Sequence, residues 1–240
     1  MNPSKIIIDG DIVAYRASFA SISFDEQYLE QKIDELISYI LEECSFYCST
    51  GDYVIYLTGK GNFRKEIAKT AEYKGNRKSV EKPIFLEQAR DYLQKKYNAI
   101  ISSGEEADDL IAMEATRIGS EVIVASVDKD MLQLPALHFN FNRKDDKWTL
   151  VKEFEGLKFF YTQIITGDSA DNIKGIFRVG PVKAKAMLED CDDEASLWEA
   201  VVKAYEGNTE RVIENGRLLW LRRYEGQIWE PPVVQKQKVG

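Results

Sequence analysis

Nine carboxylates stand in four tight groups: Asp9 and Asp11; Glu106, Asp108 and Asp109; Asp128 and Asp130; Asp168 and Asp171. Each group follows an apolar run of strand character or lies in a short polar turn. Clustered carboxylates repel and raise one another's pKa, so stability does not account for the grouping. A divalent cation resolves the conflict, and hard oxygen donors suit Mg2+ or Mn2+. The pattern therefore points to a metal-dependent enzyme acting on phosphates. Each group also has a plainer reading. Glu105-Glu106-Ala107-Asp108-Asp109 opens a helix, where acids complement the macrodipole and cap free amides. Ser126-Val127-Asp128-Lys129-Asp130 reads equally as a polar loop with a cap. Asp168 and Asp171, three apart, share one face of a turn. Capping explains any one group more easily than all four.

Two basic motifs accompany the acids. Phe63, Arg64, Lys65, Lys69, Tyr73, Lys74, Arg77 and Lys78 interleave aromatic and cationic side chains. Such segments suit phosphate contact and base stacking, and the alternative is a solvated charge run. In Gly175-Ile176-Phe177-Arg178-Val179-Gly180-Pro181-Val182-Lys183-Ala184, glycines punctuate a hairpin between two helices. Its exposed amides can sit against a phosphate, or against a K+ ion that bridges to one. Contacts of that kind, from Gly175, Arg178, Gly180 and Lys183, hold a nucleic-acid backbone without reading sequence. A plain helix–helix turn is the alternative.

The net charge of −8 looks wrong for a nucleic-acid enzyme, but the clustered acids account for it, so local distribution decides. With 44% hydrophobic and 30% charged residues in 240, the chain reads as a globular core with at most a small added lobe. No apolar run reaches membrane-spanning length and the N-terminus lacks a signal-peptide core, so cytoplasmic residence and no membrane partner are expected. Cys44, Cys48 and Cys191 fit a reducing compartment and a packing role. The single histidine, His138, argues against histidine acid–base chemistry and reads as a packing or surface residue.

Several elements must position these groups. Lys5-Ile6-Ile7-Ile8, Tyr53–Leu57, Asn98–Ile101 and Glu121–Ala125 read as strands, and 137–141 with 148–151 as an edge hairpin. Helices are expected over 26–47, from Pro83 to 97, over 105–118, and through most of the chain to 223. An extended tail is expected from Trp229. The alternation implies an α/β fold with a central, mainly parallel sheet flanked by helices. Sites in such sheets form at the carboxyl ends of strands, where Asp9 and Asp128 fall.

In order along the chain, Ile8-Asp9-Gly10-Asp11, Glu72-Tyr73-Lys74-Gly75-Asn76-Arg77, Glu106-Ala107-Asp108-Asp109, Asp128-Lys129-Asp130 and Gly167-Asp168 through Ala184 resemble the 5′-nuclease superfamily. That superfamily includes flap endonucleases and phage-type and bacterial 5′–3′ exonucleases. The resemblance covers about residues 5–188. It implies a nuclease core over 1–165 with a helical arch at about 59–97, and a helix-hairpin-helix region with tail over 166–240, packed as one unit. It implies two or more divalent ions, usually Mg2+. Asp9, Glu106, Asp108 and Asp128 would hold the catalytic group, Asp130, Asp168 and Asp171 a second, and Asp109 would support either. Lys74 would contact the scissile phosphate, Arg77 would assist, and Tyr73 would stack on a terminal base. The implied substrate is DNA with a free 5′ end or flap, or an RNA–DNA hybrid, and replication proteins are plausible partners that the sequence does not identify. The chain departs from the family pattern twice. Thr58-Gly59 stands where an aspartate is usual, and Arg178 stands where a glycine is common, with the lysine one place late at Lys183. A PIN-type ribonuclease, or a nucleic-acid-binding member of the fold with impaired catalysis, are the alternatives.

Overall fold

The computed structural model describes residues 3–48, 50–78 and 81–233. Its first elements are β1 (Lys5–Asp9), α1 (Gly10–Ala20), α2 (Glu26–Ser45), β2 (Tyr53–Lys60), α3 (Arg64–Ile67), α4 (Leu86–Tyr97), β3 (Ile100–Ser103), α5 (Ala107–Ile118) and β4 (Val122–Ala125). There follow β5 (Leu137–Phe139), β6 (Trp148–Leu150), α6 (Glu153–Thr166), β7 (Gly167–Asp168), β8 (Ile173–Lys174), α7 (Pro181–Met187), α8 (Glu194–Ala204) and α9 (Thr209–Leu219). Short 3-10 turns cover Gly75–Arg77 and Lys129–Gln133. The described residues form two compact units. One takes those of 1–62, 80–152 and 221–226, the other those of 63–79, 153–220 and 227–240.

The first unit is built on a six-stranded sheet in the order β3-β2-β1-β4-β5-β6. Strands β1 to β5 run parallel, and β6 returns antiparallel to β5. β1 is central, and its alternating side chains serve both faces. Ile6 and Ile8 pack with Val13, Ile33, Ile37 and Leu93, whereas Ile7 packs with Ile111, Val124 and Met131. Burial on two faces is why the strand reads as an unbroken apolar run. Helix α1 was not expected. Its apolar residues do not form a single stripe, and it is anchored instead by small Ala14 and Ala17 against the core and by an N-cap from Asp9 to the Ile12 amide. His138 is buried in β5, its Nε2 at 2.9 Å from the Leu134 carbonyl, and burial pushes its pKa down to about 4.

The second unit gathers Phe160, Tyr161, Ile164 and Ile165 of α6 with Leu197, Val201, Val212 and Leu218 of α8 and α9. Trp229 is buried against Phe160 at a ring separation of 5.3 Å, so the segment expected as a tail begins as part of this core. Residues 234–240 of that expected tail lie outside the described residues. Between α6 and α7 the chain makes the β7–β8 hairpin. Its backbone closes so tightly that a Cβ on Gly167 (φ +67°) would lie 2.2 Å from the Gly175 nitrogen. Among the described residues, no helix is long and apolar enough to cross a membrane.

Candidate active site

In the first unit the carboxyl ends of β1 and β4 lie side by side, with the sheet extending from β1 through β2 to β3 and from β4 to β5. That reversal of strand order is where open parallel sheets form sites. Asp9 ends β1 and Asp128 follows β4, and Ser126 ties them together. The Ser126 hydroxyl donates to Asp9 Oδ2 at 2.7 Å and accepts from the Asp128 amide at 3.0 Å. Asp9 is 2% exposed. Burial pushes its pKa up to about 7 despite the pull of the Ser126 hydroxyl, and the charges of Asp11 and Asp128 add to the rise. Asp128 Oδ1 accepts from the Asp130 amide at 2.8 Å, which caps the 129–133 turn and leaves the Asp130 side chain half-buried. Asp11 is engaged elsewhere. Its Oδ1 is 2.6 Å from Arg90 Nη1 and its Oδ2 accepts from the Thr58 amide at 3.0 Å, while Arg90 also donates to the Thr58 carbonyl.

The third group belongs to the start of α5. Glu106 and Asp109 form a reciprocal capping box, with the Glu106 amide donating to Asp109 Oδ2 at 3.2 Å. Asp109 is fully buried, and its Oδ1 accepts from the Arg222 amide at 3.1 Å. Asp109 therefore does structural work here, whereas Asp108, in the same turn, is half-buried. Among the described residues, no three or more His, Cys, Asp or Glu side chains are arranged as they stand to hold a metal ion.

In the second unit the basic segment and the Asp168–Asn172 loop are bound to each other. Asp168 is buried, and its Oδ1 accepts from the Ala170 and Asp171 amides at 2.7 and 3.3 Å. Asp171 receives the Tyr73 hydroxyl at 2.8 Å, Arg77 Nη2 at 2.6 Å and, more distantly, Lys74 Nζ at 3.7 Å. Two expectations are corrected. Arg64 is not a surface phosphate contact. It is 2% exposed and donates to the carbonyls of Leu218 and Trp220 at 2.9 and 2.8 Å, closing the end of α9. Tyr73 is 4% exposed, packed in the core of this unit, so its ring is not presented for base stacking. Lys78 is exposed and paired with Glu72.

The hairpin before α7 also acquires a physical account. Gly175 is needed for packing, because a Cβ there would lie 2.2 Å from the Thr166 carbonyl carbon. Arg178 adopts φ +60°, a left-handed backbone that glycine takes without cost, which is why glycine suits this position. Gly180 caps α7 and has open space around it. Lys183 is exposed, and its Nζ reaches the Arg178 carbonyl at 3.4 Å.

Residues 4–168 match the family model of the 5′-3′ exonuclease N-terminal, resolvase-like domain. The chain belongs to this family. Among curated proteins it is 32% identical over 168 residues to a flap endonuclease Xni of Vibrio campbellii, covering 61% of this chain and 62% of the relative. It is 27% identical over 218 residues to a 5′-3′ exonuclease of Buchnera aphidicola, covering 82% of this chain and 74% of that one. A DNA polymerase I of Rhizobium leguminosarum is 37% identical over 114 residues, 42% of this chain and 11% of its own length. The first curated relatives are thus spanned over 11% and 62% of their length. Among solved structures, the phage T5 5′-exonuclease with bound zinc aligns at a TM-score of 0.68 and 20% identity over 90% of this chain and 89% of its own. The catalytic core of Rad2 in complex with DNA substrate aligns at 0.52 and 13% over 87% and 68%. These likenesses establish the shared 5′-nuclease fold.

Against the family pattern, Gly59 has no room for a side chain. A Cβ there would lie 1.9 Å from the Ser102 carbonyl oxygen of the neighbouring β3. Asp11 places a carboxylate against this stretch of β2, its Oδ2 accepting from the Thr58 amide at 3.0 Å. Two residues that fix the site carry little sequence signal of their own, Ser126 and Arg90. Ser126 stands two residues before Asp128, and that spacing is the signal for its hydroxyl. Arg90 lies 79 positions from Asp11 on α4, and no local pattern links them.

Proposed function

We propose that the chain is a divalent-metal-dependent 5′-nuclease that hydrolyses DNA phosphodiesters near 5′ ends, as exonuclease or flap endonuclease, in replication or repair. The observation that carries this reading is the pair Asp9 and Asp128 at the carboxyl ends of β1 and β4, joined through Ser126. The donor chemistry fits a hard cation. Asp9 is pushed up to about 7 by burial and neighbouring carboxylates, and a dication would take the place of its proton. Asp9, Glu106, Asp108 and Asp128, all of the first unit, would hold the catalytic ion. We take Mg2+ as the ion, K+ at the 175–183 hairpin, and RNA–DNA hybrid as a further substrate. When bound, the catalytic ion supplies Lewis acidity toward water and the phosphate oxygens.

The chain's own residues do the rest. Ser126 holds Asp9 and fixes which oxygen faces away from it. Lys74 and Arg77 bring positive charge to the phosphates of the substrate strand. Gly180, Arg178 and Lys183 hold the backbone further along, without sequence preference. The test is digestion of 5′-end-labelled duplex and flap DNA. Product is expected with Mg2+, and none with EDTA or with Asp128→Ala. Equal product in all three rejects the metal reading, and no product from any 5′-ended substrate rejects the activity.

A further inference from the structure

We propose that Asp171 is a positioning residue for the basic segment, holding Lys74 and Arg77 in place for the strand, and that it is not a metal ligand. This rests on the nuclease reading for what the segment contacts. Both of its oxygens are committed to the segment: Oδ1 to Arg77 Nη2 at 2.6 Å, and Oδ2 to the Tyr73 hydroxyl at 2.8 Å, with Lys74 Nζ at 3.7 Å. The backbone beside it is committed in the same way. The Lys74 amide donates to the Asp171 carbonyl at 2.9 Å, Arg77 Nε to Ala170 at 2.9 Å and Asn76 Nδ2 to Ser169 at 2.8 Å. Asn172 Nδ2 returns a bond to the Glu72 carbonyl at 2.9 Å. A carboxylate that accepts charge-assisted bonds from a guanidinium holds it at a defined angle.

The geometry of the segment depends on this hold. Lys74 has φ +54°, a backbone conformation a β-carbon disfavours, which persists only where surrounding bonds fix it. Its amide bond to Asp171 is one of those. The two cations are held unequally. Arg77 is bonded at both Nε and Nη2 yet its side chain is 51% exposed, so it is oriented and still accessible. Lys74 Nζ stands 3.7 Å from Asp171 Oδ2, beyond hydrogen-bond distance, and is drawn to it by charge. Asp168 differs: it accepts from the amides of its own loop and shapes the cradle in which Asp171 sits.

The experiment uses the full chain without DNA. Trypsin cleavage after Lys74 and Arg77 is timed by mass spectrometry, and bound Mn2+ is counted by electron paramagnetic resonance. Asp171→Asn is expected to speed cleavage at these two positions by about tenfold, since the opened population sets the rate, while the Mn2+ count stays at the wild-type value. Asp171→Glu restores the slow rate. Tyr73→Phe, which keeps the ring packed, gives a smaller acceleration and guards against a folding defect in the first variant. Loss of a bound Mn2+ in Asp171→Asn overturns the proposal, and so does an unchanged cleavage rate. Neither readout uses turnover. Parallel digestion of flap DNA by the wild-type protein reports separately on the nuclease reading: its failure would remove the phosphate role and leave the hold on the segment standing.

Discussion

Asp9 and Asp171 are acids of comparable clusters in different units, and their charges are met in different ways. Among the described residues, Asp9 has neutral partners, a serine hydroxyl and a backbone amide, and two further carboxylates raise its pKa. Asp171 has a guanidinium, a phenol and an ammonium from its own chain. A buried acid without a counter-charge is poised for a cation from outside. An acid already satisfied by the chain serves architecture. Sequence clustering alone puts both in one class, and the partners separate them.

The largest effect that tests this contrast is on turnover. Asp9→Asn should lower kcat by about a thousandfold, the scale for removing a preorganised electrostatic group from an active site. Asp171→Asn should act mainly through KM, since it loosens a substrate contact. Single-turnover digestion of a labelled 5′ flap separates the two. A kcat loss of equal size in both would erase the distinction.

Next comes stability in EDTA, where two buried groups of the first unit oppose each other. In the fold Asp9 keeps its proton up to about 7, whereas the unfolded chain releases it near 3.8. Its contribution is therefore full below pH 3.8 and is lost as pH rises through 7. His138 runs the other way. The unfolded chain takes up a proton near 6.5 and the fold refuses it until about 4, so that contribution is present above 6.5 and lost as pH falls. The first amounts to roughly 4 kcal/mol and the second to roughly 3 kcal/mol. Wild-type stability should stay nearly level between pH 4 and 6.5. Asp9→Asn should expose a fall on acidification, and His138→Gln a rise, both followed by urea denaturation. Parallel curves for all three proteins would mean that Asp9 is not the burdened acid.

These contrasts mark how far the sequence can be read. β1, β4 and the parallel sheet were legible because a strand buried on both faces is a continuous apolar run. Asp9 and Asp128 were legible because strand ends are where such sheets place sites. Helix α1 was not, since its hold on the core comes from small residues and a cap rather than an apolar stripe. Arg64 and Arg77 belong to one basic run, yet one is buried against the carbonyls that end α9 and the other is half exposed. Charge composition carries no information about which carbonyls a distant helix leaves open. Arg90 is missed for the same reason: its partner is remote in sequence.

A smaller effect sharpens the Asp9 side. Ser126→Ala removes the hydroxyl that orients Asp9 and receives the Asp128 amide. Loss of such an outer partner typically weakens metal binding by about ten- to a hundredfold. Mn2+ titration by calorimetry measures it. The equivalent outer partner of Asp171, Tyr73, should leave Mn2+ affinity unchanged in Tyr73→Phe. A drop of similar size there would place Asp171 with the metal ligands after all.

The smallest effect lies within the basic segment itself. If Arg77 meets a phosphate, Arg77→Ala should reduce the slope of log affinity against log salt by about 1, one released counterion, for duplex and flap DNA alike. Arg64→Ala should leave that slope unchanged, because its guanidinium is spent on Leu218 and Trp220 carbonyls. Its cost should appear instead as about 2 kcal/mol of stability, the scale for losing buried bonds to a charged donor. Fluorescence anisotropy across a salt series, with EDTA present to prevent cleavage, reads the slopes. Equal slope changes for both arginines would mean that the buried position of Arg64 opens when DNA binds. The segment would then meet the strand as a charge run rather than as the ordered arrangement that Asp171 holds.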